Sequence, residues 1–339
     1  MSELEKIAKQ MVAKGKGILA ADESTGTMDK RLKSVNVEST EENRLKFRET
    51  LFSAESMKNF IGGVILFDET IRQKTKSGVS ISELISSSGS VPGIKVDKGA
   101  KPLARSSEET ITEGLDGLRD RLKDYYSLGA RFTKWRAVYK IGKTFPSKQS
   151  IKSNAHALAR YAALVQEANM VPIIEPEVLM DGDHDIEKCY KVTTDVLNEC
   201  YNELSIHKVD LTGTVLKPNM IVPGSNCTIK VDTKEIAKKT IECLKKNVPS
   251  NVPGIAFLSG GQSEIEASQN LNEINKLNNT KFLITFSYGR ALQQSALKMF
   301  AKEMDNKKNI QKVFNHRAKM NGLSSKGEWT ESLEKESIA

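Results

Sequence analysis

The stretch GTVLKPNM, Gly213 to Met220, opens as a buried strand and ends on an amine. Thr214, Val215 and Leu216 are the β-branched and apolar types that suit a covered, pleated ladder. Lys217 then sets a long cation where the strand runs out, and Pro218 has no N–H with which to extend the ladder.

Seven further segments share this short apolar character. Five precede it: GILAADES (Gly17 to Ser24), GGVILFDE (Gly62 to Glu69), GIKVDKG (Gly93 to Gly99), RFTKWRAVY (Arg131 to Tyr139) and VPIIEPEV (Val171 to Val178). Two follow it: GIAFLSGG (Gly254 to Gly261) and FLITFSYGR (Phe282 to Arg290). Eight such segments at intervals of about 30 to 45 residues match repeated βα units. The stretches between them carry helix signals. Ser39 with Glu42 and Ser263 with Glu266 have capping-box spacing. Leu292, Ala296, Met299 and Phe300 fall on one helical face. The pattern predicts a single-domain (β/α)8 barrel over 1–339, with peripheral helical segments at both ends and a flexible tail at 328–339. An open doubly wound sheet is the alternative, but no strand is followed by GxGxxG.

The formal charge of +8 favours anionic partners such as nucleic acid, acidic membranes or phosphorylated metabolites. Cys189, Cys200, Cys227 and Cys243 show no CxxC spacing, so a reducing cytoplasm is expected rather than a disulfide framework. The first residues alternate charged with apolar, Leu4, Ile7 and Met11 at helical spacing, which is unlike a signal peptide. His156, His184, His207 and His316 are scattered without the usual spacing of metal ligands, and DGDHD (Asp181 to Asp185) lacks the calcium-loop pattern. No metal or cofactor is expected.

Polar residues gather at the strand ends. Asp22 and Glu23 end the first, Lys95 and Asp97 the third; Lys134 and Arg136 lie in the fourth, Glu175 and Glu177 in the fifth, and Lys217 ends the sixth. A lone strand lysine ordinarily snorkels to solvent. In a barrel, however, all these ends converge on one face, where active sites form. Two more segments look like anion grips: Ser259-Gly260-Gly261 before a capped helix, and Gly289-Arg290 opening another. Lys30, Arg31 and Lys95 could hold a second phosphate. Desolvation disfavours an ammonium among apolar walls, and a nearby cation such as Lys134 disfavours it further. A neutral Lys217 amine can then form a Schiff base with a ketone, an electron sink for breaking an adjacent carbon–carbon bond.

These segments, with KGILAADESTG, KWRAVYKIG, LKPNM, FLSGGQSE and TFSYGRALQ in order, closely resemble class I fructose-bisphosphate aldolase from about Leu4 to about Gly327. The resemblance implies reversible cleavage of fructose 1,6-bisphosphate to dihydroxyacetone phosphate and glyceraldehyde 3-phosphate, in a cytoplasmic homotetramer that needs neither nucleic acid nor membrane. It implies Lys217 as nucleophile, Glu175 as the main proton carrier with Glu177 in support, Asp22 as acceptor of the C4 hydroxyl proton, and Lys134 as the neighbouring cation. It assigns Ser259, Gly260, Gly289 and Arg290 to the C1 phosphate, with Gly261 and Ser287 close by. Lys30, Arg31, Lys95 and Arg136 match basic residues near the distal phosphate and hydroxyls, with Arg44 in the same surround. Animal members end in a tyrosine that assists proton exchange; this sequence ends WTESLEKESIA, so another group or water is expected to protonate the enamine. A polyanion- or nucleic-acid-binding protein on the same barrel is the alternative that the positive charge suggests.

Overall fold

The computed structural model describes residues 1–336. Its strands are β1 (Gly17–Ala21), β2 (Ile61–Leu66), β3 (Val91–Lys95), β4 (Phe132–Tyr139), β5 (Val171–Val178), β6 (Val215–Leu216), β7 (Gly254–Phe257) and β8 (Leu283–Tyr288). Each pairs in parallel with its neighbour in sequence, and β8 returns to β1, so the expected (β/α)8 barrel is the observed one. Among the described residues no helix is long and apolar enough to cross a membrane.

The GTVLKPNM stretch shows how a strand can be cut short without leaving backbone groups unpaired. Only Val215 and Leu216 have strand geometry. The Lys217 N–H still donates to the Ile174 carbonyl at 2.8 Å, and the Pro218 carbonyl accepts from Leu258 N–H at 3.0 Å. Pro218 has no N–H to donate, and just beyond it the Asn219 side chain satisfies the end of β5, its Oδ1 accepting from Val178 N–H at 3.1 Å. The chain thus leaves the ladder just where Lys217 is presented.

Ile18, Ala20, Ile65, Val91, Phe132, Val171, Ile173, Val215 and Ala256 fill the barrel interior. Phe132 demands a glycine opposite, for a Cβ on Gly93 would lie 2.4 Å from its ring. The N-terminal helix Glu3–Met11, capped by Ser2, closes the lower end by burying Ile7, Ala8 and Met11 in this same cluster. A Cβ on Gly62 would sit 2.4 Å from the Met11 carbonyl oxygen, so glycine lets the plug approach β2.

Local signals held unevenly. Ser263 and Glu266 form the full capping box. At the other expected box Thr40, not Ser39, caps the helix Glu41–Phe52, its side chain accepting from Asn43 N–H, while Arg44 Nη1 engages the Ser39 carbonyl at 2.7 Å and its hydroxyl at 3.4 Å. An antiparallel pair, Ala100–Pro102 with Thr110–Thr112, was not foreseen in the polar run after β3.

The segment expected to be loose from 328 is docked as far as it is described. Trp329 is buried, its N–H donates to Asn272 Oδ1 at 3.0 Å, and its indole N–H donates to Glu334 Oε2 at 2.9 Å. Arg317 Nη2 donates to the same oxygen at 2.9 Å. Residues 337–339 lie outside the described residues. Burial alone would raise the Glu334 carboxyl, but hydrogen bonds from His316, Arg317 and Trp329 prevail and push it down to about 2. A carboxyl depressed on folding stabilises docking above its ordinary value and loses that contribution as pH falls through the folded value. Indole fluorescence from Trp329 is therefore expected to hold down to pH 4.5 and to change as pH falls from there towards about 2. In Glu334→Gln the change is expected already at neutral pH; a wild-type transition above the ordinary carboxyl range would overturn this account.

Candidate active site

A cavity of about 600 Å³ opens where the strands end. Period-two alternation delivers its charged walls. On β4, Lys134 and Arg136 point inward while Trp135 and Ala137 pack in the outer core; on β5, Glu175 and Glu177 point inward while Ile174 and Val178 pack outward. Strand register then brings Lys134 level with Lys95, and Arg136 level with Glu175.

The centre is a chain of buried charges. Lys217 Nζ lies 2.9 Å from Glu175 Oε1, and Lys134 Nζ lies 3.2 Å from Glu175 Oε2. Lys134 Nζ also lies 2.8 Å from Asp22 Oδ2 and 3.9 Å from Asp97 Oδ2. Glu175 thus bridges two amines, and Lys134 is gripped by three carboxylates. The walls around Lys217 are not purely apolar, because Glu175 turns into contact with it. Burial raises the Asp22 carboxyl, yet Lys134, aided by Lys95 and Lys217, holds it far below the usual range. Glu175 is also lowered, burial being outweighed by Lys134, Lys217 and Arg136. Lys134 responds reciprocally: burial disfavours its charge, but Asp22, Glu175 and Asp97 raise it well above an ordinary lysine. Arg136 pairs with Glu177 on the neighbouring strand.

The opposite wall is built from small residues and helix starts. Gly289 stands at the N-cap of the helix Arg290–Lys302 with no side chain capping it, which leaves the first N–H groups of that helix to an outside acceptor. Ser259, Gly260 and Ser287 line the same side, and the Ser287 hydroxyl is buried without a partner among the described residues. Arg290 Nη2 is tied to the Gly260 carbonyl at 2.8 Å, which joins the two grips. Arg31 belongs here too, since a Cβ on Gly289 would meet its Nη2 at 3.5 Å. The Gly261 N–H is already engaged, donating to Met180 Sδ at 2.9 Å.

The family described as "Glycolytic: Fructose-bisphosphate aldolase class-I" matches residues 3–339. A probable fructose-bisphosphate aldolase class 1 of Xanthomonas campestris pv. campestris is 52% identical over 97% of this chain and 99% of its own length. The cytosolic fructose-bisphosphate aldolase 4 of Arabidopsis thaliana is 55% identical over 92% of this chain and 80% of its own. The fructose-bisphosphate aldolase of Plasmodium falciparum, solved in complex with TRAP and a small-molecule inhibitor, superposes with a TM-score of 0.95 at 46% identity, covering 97% of this chain and 95% of that one. The chain belongs to the class-I fructose-bisphosphate aldolase family.

Aldolases of this kind are lyases that act on fructose bisphosphate. Of the residues singled out in the sequence, two do not line the aldolase cavity. Lys30 neighbours Arg31 on the helix Thr25–Lys33, and adjacent helical residues cannot both face one site, so Lys30 is exposed. Arg44 is buried as a fork on Glu69, with Nε and Nη2 at 2.9 and 2.6 Å from its two oxygens. It braces the helix Glu41–Phe52. Lys95 lines the cavity with Nζ 5.0 Å above the centre of the Phe67 ring.

Two further acids complete the charge pattern of the cavity. Asp97 is the third carboxylate on Lys134, and its Oδ2 also accepts from Arg136 N–H at 3.3 Å. Glu23 pairs with Arg31 and accepts from Gln293 Nε2 at 3.1 Å, while the buried Arg48 donates to the Glu23 carbonyl at 2.8 Å. Both stood in the sequence at strand ends. What could not be read there was which of two adjacent acids, Asp22 or Glu23, serves the charge chain and which holds an arginine.

Proposed function

We propose that this aldolase cleaves fructose 1,6-bisphosphate through a Schiff base on Lys217, releasing glyceraldehyde 3-phosphate and then dihydroxyacetone phosphate. The observation that carries this reading is the contact of Lys217 Nζ with Glu175 Oε1 at 2.9 Å inside the strand-end cavity. Glu175 takes a proton from the Lys217 ammonium, and the freed amine adds to the C2 ketone. Glu175 then hands a proton to the carbinolamine oxygen, which leaves as water and gives the iminium. Asp22, held ionised beside Lys134, accepts the C4 hydroxyl proton as the C3–C4 pair flows into the iminium. A carboxylate so strongly stabilised is a weak base, but the hydroxyl becomes acidic only as that bond breaks. Protonation of the enamine at C3 and hydrolysis return Lys217. The same steps reversed condense the two triose phosphates, which suits both glycolysis and gluconeogenesis.

The wall carrying Gly289, Arg290 and Ser259 suits the C1 phosphate: open helix N–H groups and a guanidinium are fixed before substrate arrives. Arg290→Ala is expected to weaken binding of the bisphosphate, because a charge-assisted hydrogen bond is worth about 1.5 to 3 kcal/mol. KM and the inhibition constant of inorganic phosphate should both rise roughly ten- to a hundredfold, the equivalent of that energy. If neither moves, Arg290 does not hold phosphate.

Borohydride reduction in the presence of fructose 1,6-bisphosphate, followed by peptide mapping, tests the central assignment. The expected adduct is on Lys217; an adduct on any other lysine overturns it. A cytoplasmic homotetramer is the matching proposal for setting and assembly. It is supported by four unpaired cysteines and by the cytosolic relative, and is testable by fractionation and sedimentation. A polyanion-binding role has no comparable support, since the central cations of the cavity are paired with carboxylates of the same chain.

A further inference from the structure

Outside the cavity, one cluster has the composition of a metal site. Glu203 and His207 stand one turn apart at the end of the helix Ile186–Ile206, and His156 reaches them from the helix Lys148–Glu167. Each offers one donor atom, and the three atoms lie within 4.8 Å of one another. His156 Nδ1 is 3.0 Å and His207 Nδ1 is 3.7 Å from the same oxygen, Glu203 Oε2. The scattered look of the histidines in the sequence hid this, because the Glu–His pair is local while the third member is supplied by the adjacent helix.

Burial makes the arrangement costly without a partner. The Glu203 side chain is 7% exposed, and among the described residues its only basic neighbours are those two imidazoles. A buried carboxylate calls for a positive partner, which an ion held jointly with the two imidazoles would supply. Orientation is also prepared. His207 Nδ1 lies 2.9 Å from the Glu203 carbonyl oxygen, the contact that fixes an Nδ1–H tautomer and leaves Nε2 as a lone-pair donor. The rings stand at 72° to each other with centroids 4.9 Å apart, edge to face rather than stacked. His156 is half exposed, which gives an ion a path in and leaves room for water as a further ligand.

We propose that His156, Glu203 and His207 bind a divalent transition ion of the zinc class, as a clamp between the helices that follow β4 and β5. Two imidazoles and one carboxylate suit zinc, cobalt or nickel and not magnesium or calcium, which take oxygen ligands. A tetrahedral ion with bonds of about 2.0 to 2.2 Å spaces its donors roughly 3.3 to 3.6 Å apart. The three donor atoms, now within 4.8 Å of one another, must draw together to reach that spacing. None of the three residues lines the catalytic cavity, so the ion acts on stability and not on cleavage.

The test uses the full chain carrying Cys227→Ser, so that the one cysteine not fully buried cannot claim the ion. Zinc sulfate is titrated by calorimetry, and cobalt chloride by visible absorption. One equivalent of zinc should bind, cobalt should give the strong bands of a four-coordinate N/O site, and magnesium should give neither. His207→Ala and Glu203→Gln should each weaken zinc binding at least about tenfold. His156→Ala, at a half-exposed position that threatens folding least, should do the same. His316→Ala should leave the affinity unchanged, since His316 neighbours Glu334 elsewhere. Zinc should raise the thermal midpoint of the parent and not of His156→Ala, while EDTA leaves cleavage unaffected. Absence of stoichiometric binding, or binding that survives His156→Ala, overturns the proposal. Failure of the Schiff-base reading would not touch these readouts.

Discussion

Lys217→Arg is expected to abolish cleavage while the barrel stays folded. Arginine keeps the positive charge beside Glu175, so the pairing that burial requires is retained. What disappears is the ability to become a nucleophile, because a guanidinium stays protonated at any workable pH. With no Schiff base the carbon–carbon bond has no electron sink. The loss in kcat should reach at least about 10,000-fold, or about 5.4 kcal/mol of barrier at 1.36 kcal/mol per decade. Borohydride labelling should vanish with it. A misplaced Glu175 could mimic this result, so a second variant separates the two. Lys217→Cys, alkylated with 2-bromoethylamine in a Cys227→Ser background, restores an amine at nearly the length of lysine. It should recover both labelling and part of the turnover. Turnover of Lys217→Arg within tenfold of wild type would be incompatible with the mechanism.

The barrel was legible because its evidence is repetitive. Eight apolar segments at regular spacing survive an error in any one of them, and even the shortest, β6 with only Val215 and Leu216 in the ladder, stands within the expected Thr214 to Leu216. That shortening is itself the answer to why a buried strand ends on Lys217. The strand releases the chain through Pro218, and the Asn219 side chain supplies an acceptor for the Val178 N–H at the end of β5. The charged walls were legible for a related reason. Alternation on β4 and β5 fixes which residues face inward, so Lys134, Arg136, Glu175 and Glu177 follow from register alone. Residues placed by helices and loops were harder. Lys30 and Arg31 look equivalent in sequence, and only the helix phase separates the exposed one from the one beside Gly289. Arg44 lay among charges, yet its partner Glu69 is 25 residues away, a pairing no local pattern announces. The docked Trp329 segment was hidden in the same way, its anchors Asn272 and Arg317 being distant in the chain.

The charge chain makes Lys134 the residue whose loss should spread furthest. Its Nζ neutralises Asp22, Glu175 and Asp97 together, and it is 4% exposed. Lys134→Met keeps the aliphatic length and removes only the ammonium. Three buried carboxylates then face one another with Lys95, Lys217 and Arg136 as the remaining nearby cations. Breaking a buried pair this way typically costs roughly 3 to 5 kcal/mol, unless the carboxylates take up protons instead. Both responses leave a signature. In the wild type, Asp22 and Glu175 lie below their ordinary values, so their contribution to stability is present at neutral pH and is lost as pH falls through the folded-state values. In Lys134→Met that contribution is missing from the start. The stability gap between the two proteins should therefore be widest near neutrality and narrow as pH drops below about 4, where the wild type loses its advantage. Activity should fall as well. An Asp22 that retains its proton cannot accept one from the C4 hydroxyl, and a Glu175 shared with one amine instead of two is displaced from its bridging position. General acid–base help of this kind is worth about 100- to 10,000-fold, so a kcat loss of that order is expected, with residual activity improving as pH rises and Asp22 ionises again. Denaturant melts from pH 3 to 9 and the pH profile of kcat read both effects. A stability gap that does not change with pH would mean that the three carboxylates do not depend on Lys134 for their charge, and the chain from Asp22 through Lys134 to Glu175 would have to be abandoned as a proton-handling unit.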